Sequence, residues 1–135
     1  MGAVKDLFGQ TIYLDTNIFI YALERNPDYV LIIDELFAAL DNGRMKAVTS
    51  EITLAECLVK PCAERNTEFQ LRYQAAIMTR PGFAVLPVSR PILIAAAQLR
   101  ALHKSRLPDA IHLATALDAA CQTFITNDHL VKAIP

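Results

Sequence analysis

The sequence has 135 residues, 53% of them apolar and 20% charged, with 4 Gly and 7 Pro, the make-up of one globular domain able to bury a core. No run approaches the ~18 uninterrupted apolar residues of a membrane span, and the opening segment carries Lys5 and Asp6 without an apolar block or cleavage site, so a single cytoplasmic domain over residues 1–135 is expected. Thirteen basic against 14 acidic residues leave a formal charge of −1, which argues against a nucleic-acid binder relying on bulk positive surface.

Thr11-Ile12-Tyr13-Leu14 is a short β-rich run ended by Asp15, after which Ile18, Phe19, Tyr21, Ala22 and Leu23 take helical spacing. Asn26-Pro27-Asp28 breaks the chain, and Val30, Ile33, Leu36, Phe37 and Leu40 predict a second helix stopped by Asn42-Gly43. Lys46 to Thr49 reads as a second strand, Ser50 to Val59 as a helix and Thr67 to Met78 as another, with Pro61 as the break between them. A third strand, Phe83 to Leu86, follows the Pro81-Gly82 turn. Arg90 to Lys104 is a long Ala-rich helix, Pro108 suits the first turn of a helix continuing from Ala110 to Ala119, and Thr123 to Thr126 is a fourth strand. Strands separated by helices, with no tandem hairpins, predict a parallel sheet covered on both faces, whose ligands bind at the carboxyl ends of the strands.

The four glycines form neither GxGxxG nor GxxxxGK[ST], which excludes the dinucleotide and phosphate-loop folds. Cys57, Cys62 and Cys121 are odd in number and match neither a CxxC pair nor zinc knuckles, so reduced thiols packed as small apolar groups are expected.

The acids are more informative. Asp15 ends the first strand and Asp128 follows the fourth, so both project at one sheet edge; each also suits the cap of a following helix or turn. Glu56 lies on the helix after strand two, where Thr53-x-x-Glu56 alternatively fits a capping box. Asp109 occupies a helical first turn that the dipole alone would favour, and His112, three residues on, is expected to be a packed or hydrogen-bonding neighbour rather than a metal ligand.

Gathered without a counterion, such carboxylates would repel by about 3 kcal/mol per pair at ~5 Å and an effective dielectric near 20. Oxygen-only donors select Mg²⁺ or Mn²⁺ over zinc, and a calcium loop starting at Asp15 fails because Phe19, Tyr21 and Leu23 occupy ligand positions. Metal-held carboxylates can activate water against a phosphodiester. Setting the four acids aside as neutralised turns the remaining charge balance basic. Arg100, Lys104 and Arg106 crowd the approach to Asp109 as candidate phosphate contacts, or as a solvated helix C-terminus complementing its dipole. Thr16, Asn17 and Thr126 border the same edge as candidate supports or as plain caps.

Leu14-Asp15-Thr16-Asn17-Ile18, Ser50-x-x-Thr53-x-x-Glu56, Leu107-Pro108-Asp109-Ala110 and Ile125-Thr126-Asn127-Asp128, in this order and spacing, resemble the motifs of the PIN-domain ribonucleases, and within them the VapC-type toxins of toxin–antitoxin pairs. The resemblance implies a three-layer α/β/α sandwich with a central parallel sheet of four to five strands. It also implies an Mg²⁺- or Mn²⁺-dependent endoribonuclease with Asp15, Glu56, Asp109 and Asp128 as its acidic quartet, a homodimer, and a cognate antitoxin that blocks the site. Relatives usually continue into a fifth edge strand, whereas this sequence stops at Ala133-Ile134-Pro135, so sheet completion or dimer packing is expected to differ. Two other readings stay open: a PIN-like module that binds RNA or protein without catalysis, and a phospho-accepting domain, weakened because Thr16 and Asn17 stand where neighbouring acids would be wanted.

Overall fold

Ile12, Tyr13 and Leu14 are completely buried, and the sheet is organised around the strand they form. In the computed structural model, which describes residues 4–126 and the backbone of 132–133, a 3-10 turn (Val4–Leu7) precedes β1 (Thr11–Leu14), α1 (Thr16–Glu24) and α2 (Val30–Asp41). Then come β2 (Lys46–Ser50), α3 (Glu51–Ala63), α4 (Thr67–Ala76), β3 (Phe83–Leu86), α5 (Arg90–His103), α6 (Leu107–Asp118), β4 (Thr123–Ile125) and β5 (Lys132–Ala133). The sheet order is β3-β2-β1-β4-β5, parallel throughout β3, β2, β1 and β4.

Alternation along the strands assigns the two covering layers. Ile12, Leu14, Ala47, Phe83 and Ile125 pack into one core with α1 to α4, burying Phe19, Leu36, Cys57 and Tyr73. Tyr13 and Val48 point the other way, against Ala116 of α6, with Ala84 and Phe124 beside them, and Ile92 and Ala96 of α5 pack on Ala110, Ile111 and Ala114 of α6. Apolar side chains on both faces of one sheet are what a parallel sheet under two helical layers requires, and each fully buried Leu or Ile contributes about 1.5 to 3 kcal/mol. The three-layer α/β/α expectation therefore holds.

Local chemistry sets the element ends. Ser50 closes β2 and caps α3, its hydroxyl accepting from the Ile52 amide; Asn66 and Ser89 cap α4 and α5 in the same way. Gly82, at φ +81°, makes the turn into β3.

Three expectations are corrected. Pro61 does not separate two helices: it lies buried inside α3, and its carbonyl accepts from the Asn66 amide and the Gln70 side chain, so packing at the α3–α4 junction offsets the missing N–H. The sheet has the upper of the expected four to five strands, but its fifth is a two-residue edge that pairs antiparallel, not parallel, to β4 through Thr123↔Ala133 and Phe124↔Lys132. Of the three free thiols, Cys57 and Cys121 are buried as expected, but Cys62 is exposed. Among the described residues no helix is long and apolar enough to cross a membrane.

β1 lies between β2 and β4, so the chain winds outward from it in opposite directions. That reversal leaves a crevice at the carboxyl ends of β1 and β4.

Candidate active site

Asp15 stands at this crevice. Its amide donates to the Ile125 carbonyl at 3.1 Å, continuing the β1–β4 ladder by one step, while its φ of −72° and ψ of 161° turn the chain into α1. Asp15 Oδ1 accepts from the Thr16 amide at 2.7 Å, so the capping alternative is realised; capping and site membership coexist in one residue. The capping box at Thr53 is not realised, because α3 begins earlier, at Ser50. Glu56 is instead an interior residue of α3, and its Oε1 accepts from Thr16 Oγ1 at 2.7 Å and from His112 Nε2 at 2.6 Å. Both bonds fall on the same oxygen; Oε2 carries neither.

Asp109 comes from the first turn of α6 and is exposed, yet its charge reaches Asp15. Burial pushes the Asp15 carboxyl above the ordinary carboxylate range, the charges of Glu56 and Asp109 push the same way, and His112 and the Thr16 amide oppose them. Glu56 is shifted in the opposite direction. The His112 hydrogen bond holds it below the ordinary range against partial burial, with help from Thr16 and from the charge of Arg106. Two carboxylates with environments that drive them apart are a recurrent mark of a reactive site.

Of the remaining predicted residues, Thr16 joins the cluster directly. Asn17 is half-buried in the first turn of α1 and makes none of the hydrogen bonds that link Asp15, Thr16, Glu56 and His112. Thr126 directly follows Ile125, whose carbonyl receives the Asp15 amide, and so borders the same edge. Arg100 and Lys104, in the last turn and cap of α5, and Arg106, at the N-cap of α6, are all exposed; Arg106 is the one whose charge acts on Glu56. Asp128 lies outside the described residues.

His112 is more central than its place in the sequence implied. It is 2% exposed, with Nδ1 2.6 Å from the Tyr13 hydroxyl and Nε2 against Glu56, and the same Nε2 stands 4.0 Å from Asp15 Oδ1. The expectation of a hydrogen-bonding neighbour holds, and the neighbour is Glu56 itself. The available signal was a lone imidazole on a helix whose other inward positions are Ala, Ile and Thr, together with a tyrosine inside a buried strand.

With both imidazole nitrogens engaged, the donors left for a cation are carboxylate oxygens, which suits Mg²⁺ or Mn²⁺. Among the described residues no three His, Cys, Asp or Glu side chains already form a metal cage. What fits a cation is the donor chemistry together with the condition of Asp15, a partly buried acid burdened by two like charges. A groove of about 660 Å³ between α5 and α6, lined by Ile92, Ala95, Leu99, Leu102, Ala114 and Leu117 among others, is mainly apolar and contains none of these acids.

The sequence matches the model of the family described as PIN domain over residues 12–135. No curated protein matches it significantly. Among solved structures, a toxin-antitoxin complex from Klebsiella pneumoniae is 28% identical, with a TM-score of 0.62 over 85% of this chain and 84% of that one. VapBC2 from Rickettsia felis, bound to a DNA fragment from its promoter, is 20% identical with a TM-score of 0.66 over 87% of both chains. VapC20 of Mycobacterium tuberculosis, a Sarcin-Ricin loop cleaving toxin, is 17% identical with a TM-score of 0.70 over 84% of this chain and 86% of that one.

Proposed function

The chain belongs to the PIN domain family, and from that premise we propose that it is a metal-dependent endoribonuclease, the VapC-type toxin of a toxin–antitoxin pair. The observation that carries the proposal is the meeting of Asp15 and Glu56, from two separate elements, around Thr16 and His112 at the carboxyl end of the sheet, within reach of the charges of Asp109 and Arg106. Asp15, Glu56 and Asp109, with Asp128, would hold Mg²⁺ or Mn²⁺, which when bound supplies an activated water and offsets charge developing on the phosphodiester.

The protein's own groups divide the remaining work. Thr16 donates to Glu56, and the Thr16 amide donates to Asp15, so one residue steadies two acids. Asp15, whose ionised form is disfavoured by burial, gains most from a cation. Arg106 offers a positive charge on the open side for an RNA phosphate, and Arg100 and Lys104 extend that surface along the end of α5. The similarity to a toxin-antitoxin complex supports a cognate antitoxin as the restraining partner; a homodimeric toxin acting in the cytoplasm completes the proposal and rests on the resemblance of the sequence motifs alone.

Purified protein incubated with RNA and Mn²⁺ or Mg²⁺ is expected to release fragments, to stop with EDTA, and to be inactive as Asp15→Asn. Retained cleavage by that variant in metal-defined buffer refutes the role of Asp15. A wild-type protein that binds RNA but never cuts it refutes catalysis and leaves a binding module. Sedimentation of the protein alone and with its antitoxin tests the assembly.

A further inference from the structure

Behind the carboxylates lies a buried chain of hydrogen bonds that the chemistry above leaves unused. Tyr13 is 0% exposed and its hydroxyl is 2.6 Å from His112 Nδ1; the other ring nitrogen is 2.6 Å from Glu56 Oε1 and 3.2 Å from Thr16 Oγ1. An ionised carboxylate can only accept, so the proton on the Glu56 contact resides on Nε2. Thr16 gives its own hydroxyl proton to the same Oε1 and therefore accepts, rather than donates, towards the imidazole. Nδ1 faces the Tyr13 hydroxyl, a buried group that requires a partner. The ring is gripped at both nitrogens.

Tyr13 is itself fixed. Its ring stacks on Phe124 with centroids 4.9 Å apart and meets the His112 ring edge-on at 5.7 Å. Rotation of the imidazole would break two buried hydrogen bonds at once. Glu56, a long side chain in the middle of a helix, thereby has a defined orientation with its bonded oxygen turned inward.

We propose that His112, oriented by Tyr13, is a positioning residue that fixes the Glu56 carboxylate with Oε1 held by the protein and Oε2 left for the divalent cation. The proposal rests on the reading of Glu56 as part of a metal-dependent nuclease. Its role is separate from ligation: His112 acts through Glu56 and touches neither metal nor RNA.

Three variants and one spectrum test it. His112→Leu removes both nitrogens, His112→Gln keeps an N–H able to reach Glu56, and Tyr13→Phe removes only the orienting hydroxyl. His112→Leu is expected to lose about 10- to 100-fold in Mn²⁺ affinity, measured by titration calorimetry, with a comparable loss in kcat and a smaller change in KM. His112→Gln is expected to recover most of both, and Tyr13→Phe to fall between. A folded His112→Leu with wild-type Mn²⁺ affinity and kcat overturns the proposal, as does a folded His112→Gln as impaired as the leucine variant.

The spectrum needs neither metal nor RNA. In metal-free, ¹⁵N-labelled protein, long-range ¹H–¹⁵N correlation is expected to show the His112 proton on Nε2, at a position that moves in Glu56→Ala. A bare Nε2, or a signal indifferent to Glu56, overturns the proposal even if the leucine variant does not fold. Wild-type protein that neither binds Mn²⁺ nor cuts RNA would instead defeat the nuclease reading while the spectrum still reported the Tyr13–His112–Glu56 chain.

Discussion

Replacing Asp15 by Asn should make the metal-free protein more stable, not less. The Asp15 and Glu56 carboxylates share one imidazole nitrogen, at 4.0 and 2.6 Å, so the two charges stand within about 7 Å and repel by about 2 to 3 kcal/mol at an effective dielectric near 20. Asp15→Asn removes that repulsion, the repulsion from Asp109 and the cost of burying the charge, and it keeps an oxygen to accept the Thr16 amide. It forfeits the attraction to His112, which cancels part of the gain. A net stabilisation of about 1 kcal/mol is expected, which for a domain of this size raises Tm by about 3 °C. Because burial raises the native pKa of Asp15 above its unfolded value, the wild type is favoured at low pH and loses stability as pH rises through the native value. The advantage of the variant should therefore be present at neutral pH and vanish in acid. Scanning calorimetry of both proteins in EDTA at several pH values measures it. A lower Tm for Asp15→Asn at neutral pH would refute the claim that this edge is a site of unrelieved negative charge. Saturating Mn²⁺ should reverse the order, raising the Tm of the wild type more than that of the variant.

Three further outcomes follow from the same geometry. Glu56→Gln keeps an acceptor for Thr16 and His112 but loses the charge, so cleavage should fall sharply; since the native pKa of Glu56 is depressed, its stabilisation is present above the ordinary carboxylate range and lost as pH falls through the native value, and the variant should lack that acid-side loss in a pH series of melts. Thr49→Val leaves the Leu14 carbonyl and the Thr53 hydroxyl without a completely buried partner, costing about 1 to 3 kcal/mol in urea unfolding, with RNA cleavage per folded molecule unchanged. Arg106→Ala should weaken RNA binding and reduce the slope of log affinity against log salt by about 1, with little change in Tm; an unchanged slope would remove Arg106 from the RNA surface.

Most of the architecture was legible because it depends on local signals. The β-branched and aromatic run Thr11–Leu14, the Pro81-Gly82 turn and the serines at 50 and 89 each act within a few residues, and the strands and helices fall where those signals put them. The failures are tertiary. Pro61 reads as a stop, but burial against the start of α4 keeps α3 helical through it. β5 has two residues, too few for any periodicity, and exists through its pairing with β4. In the candidate site, Asp15 and Asp109 could be picked out because strand ends and first helical turns are identifiable from sequence, and Glu56 because it is an acid on an otherwise largely apolar helix following the second strand. The centrality of His112 could not, because its partners Tyr13 and Glu56 are 99 and 56 positions away. No local pattern encodes such a contact.

The placement of these groups separates two kinds of residue that the sequence presents alike. Thr49, Thr53, His112 and Tyr13 form a floor in which, as throughout the described residues, no buried side-chain nitrogen or oxygen lacks a hydrogen-bond partner. Asp15 and Glu56 form a rim, with side chains 22% and 31% exposed, and the electrostatic strain is confined there, where an ion can reach it. A satisfied floor gives the carboxylates fixed positions, and those fixed positions prevent the rim from relaxing its own repulsion. Substitutions in the floor should therefore cost stability first. Loss of the Asp15 charge should cost function while leaving stability equal or higher, and loss of the Glu56 charge should cost function together with the stability that its ionised form supplies at neutral pH, so thermal melts and metal titrations on one set of variants would separate floor, Asp15 and Glu56.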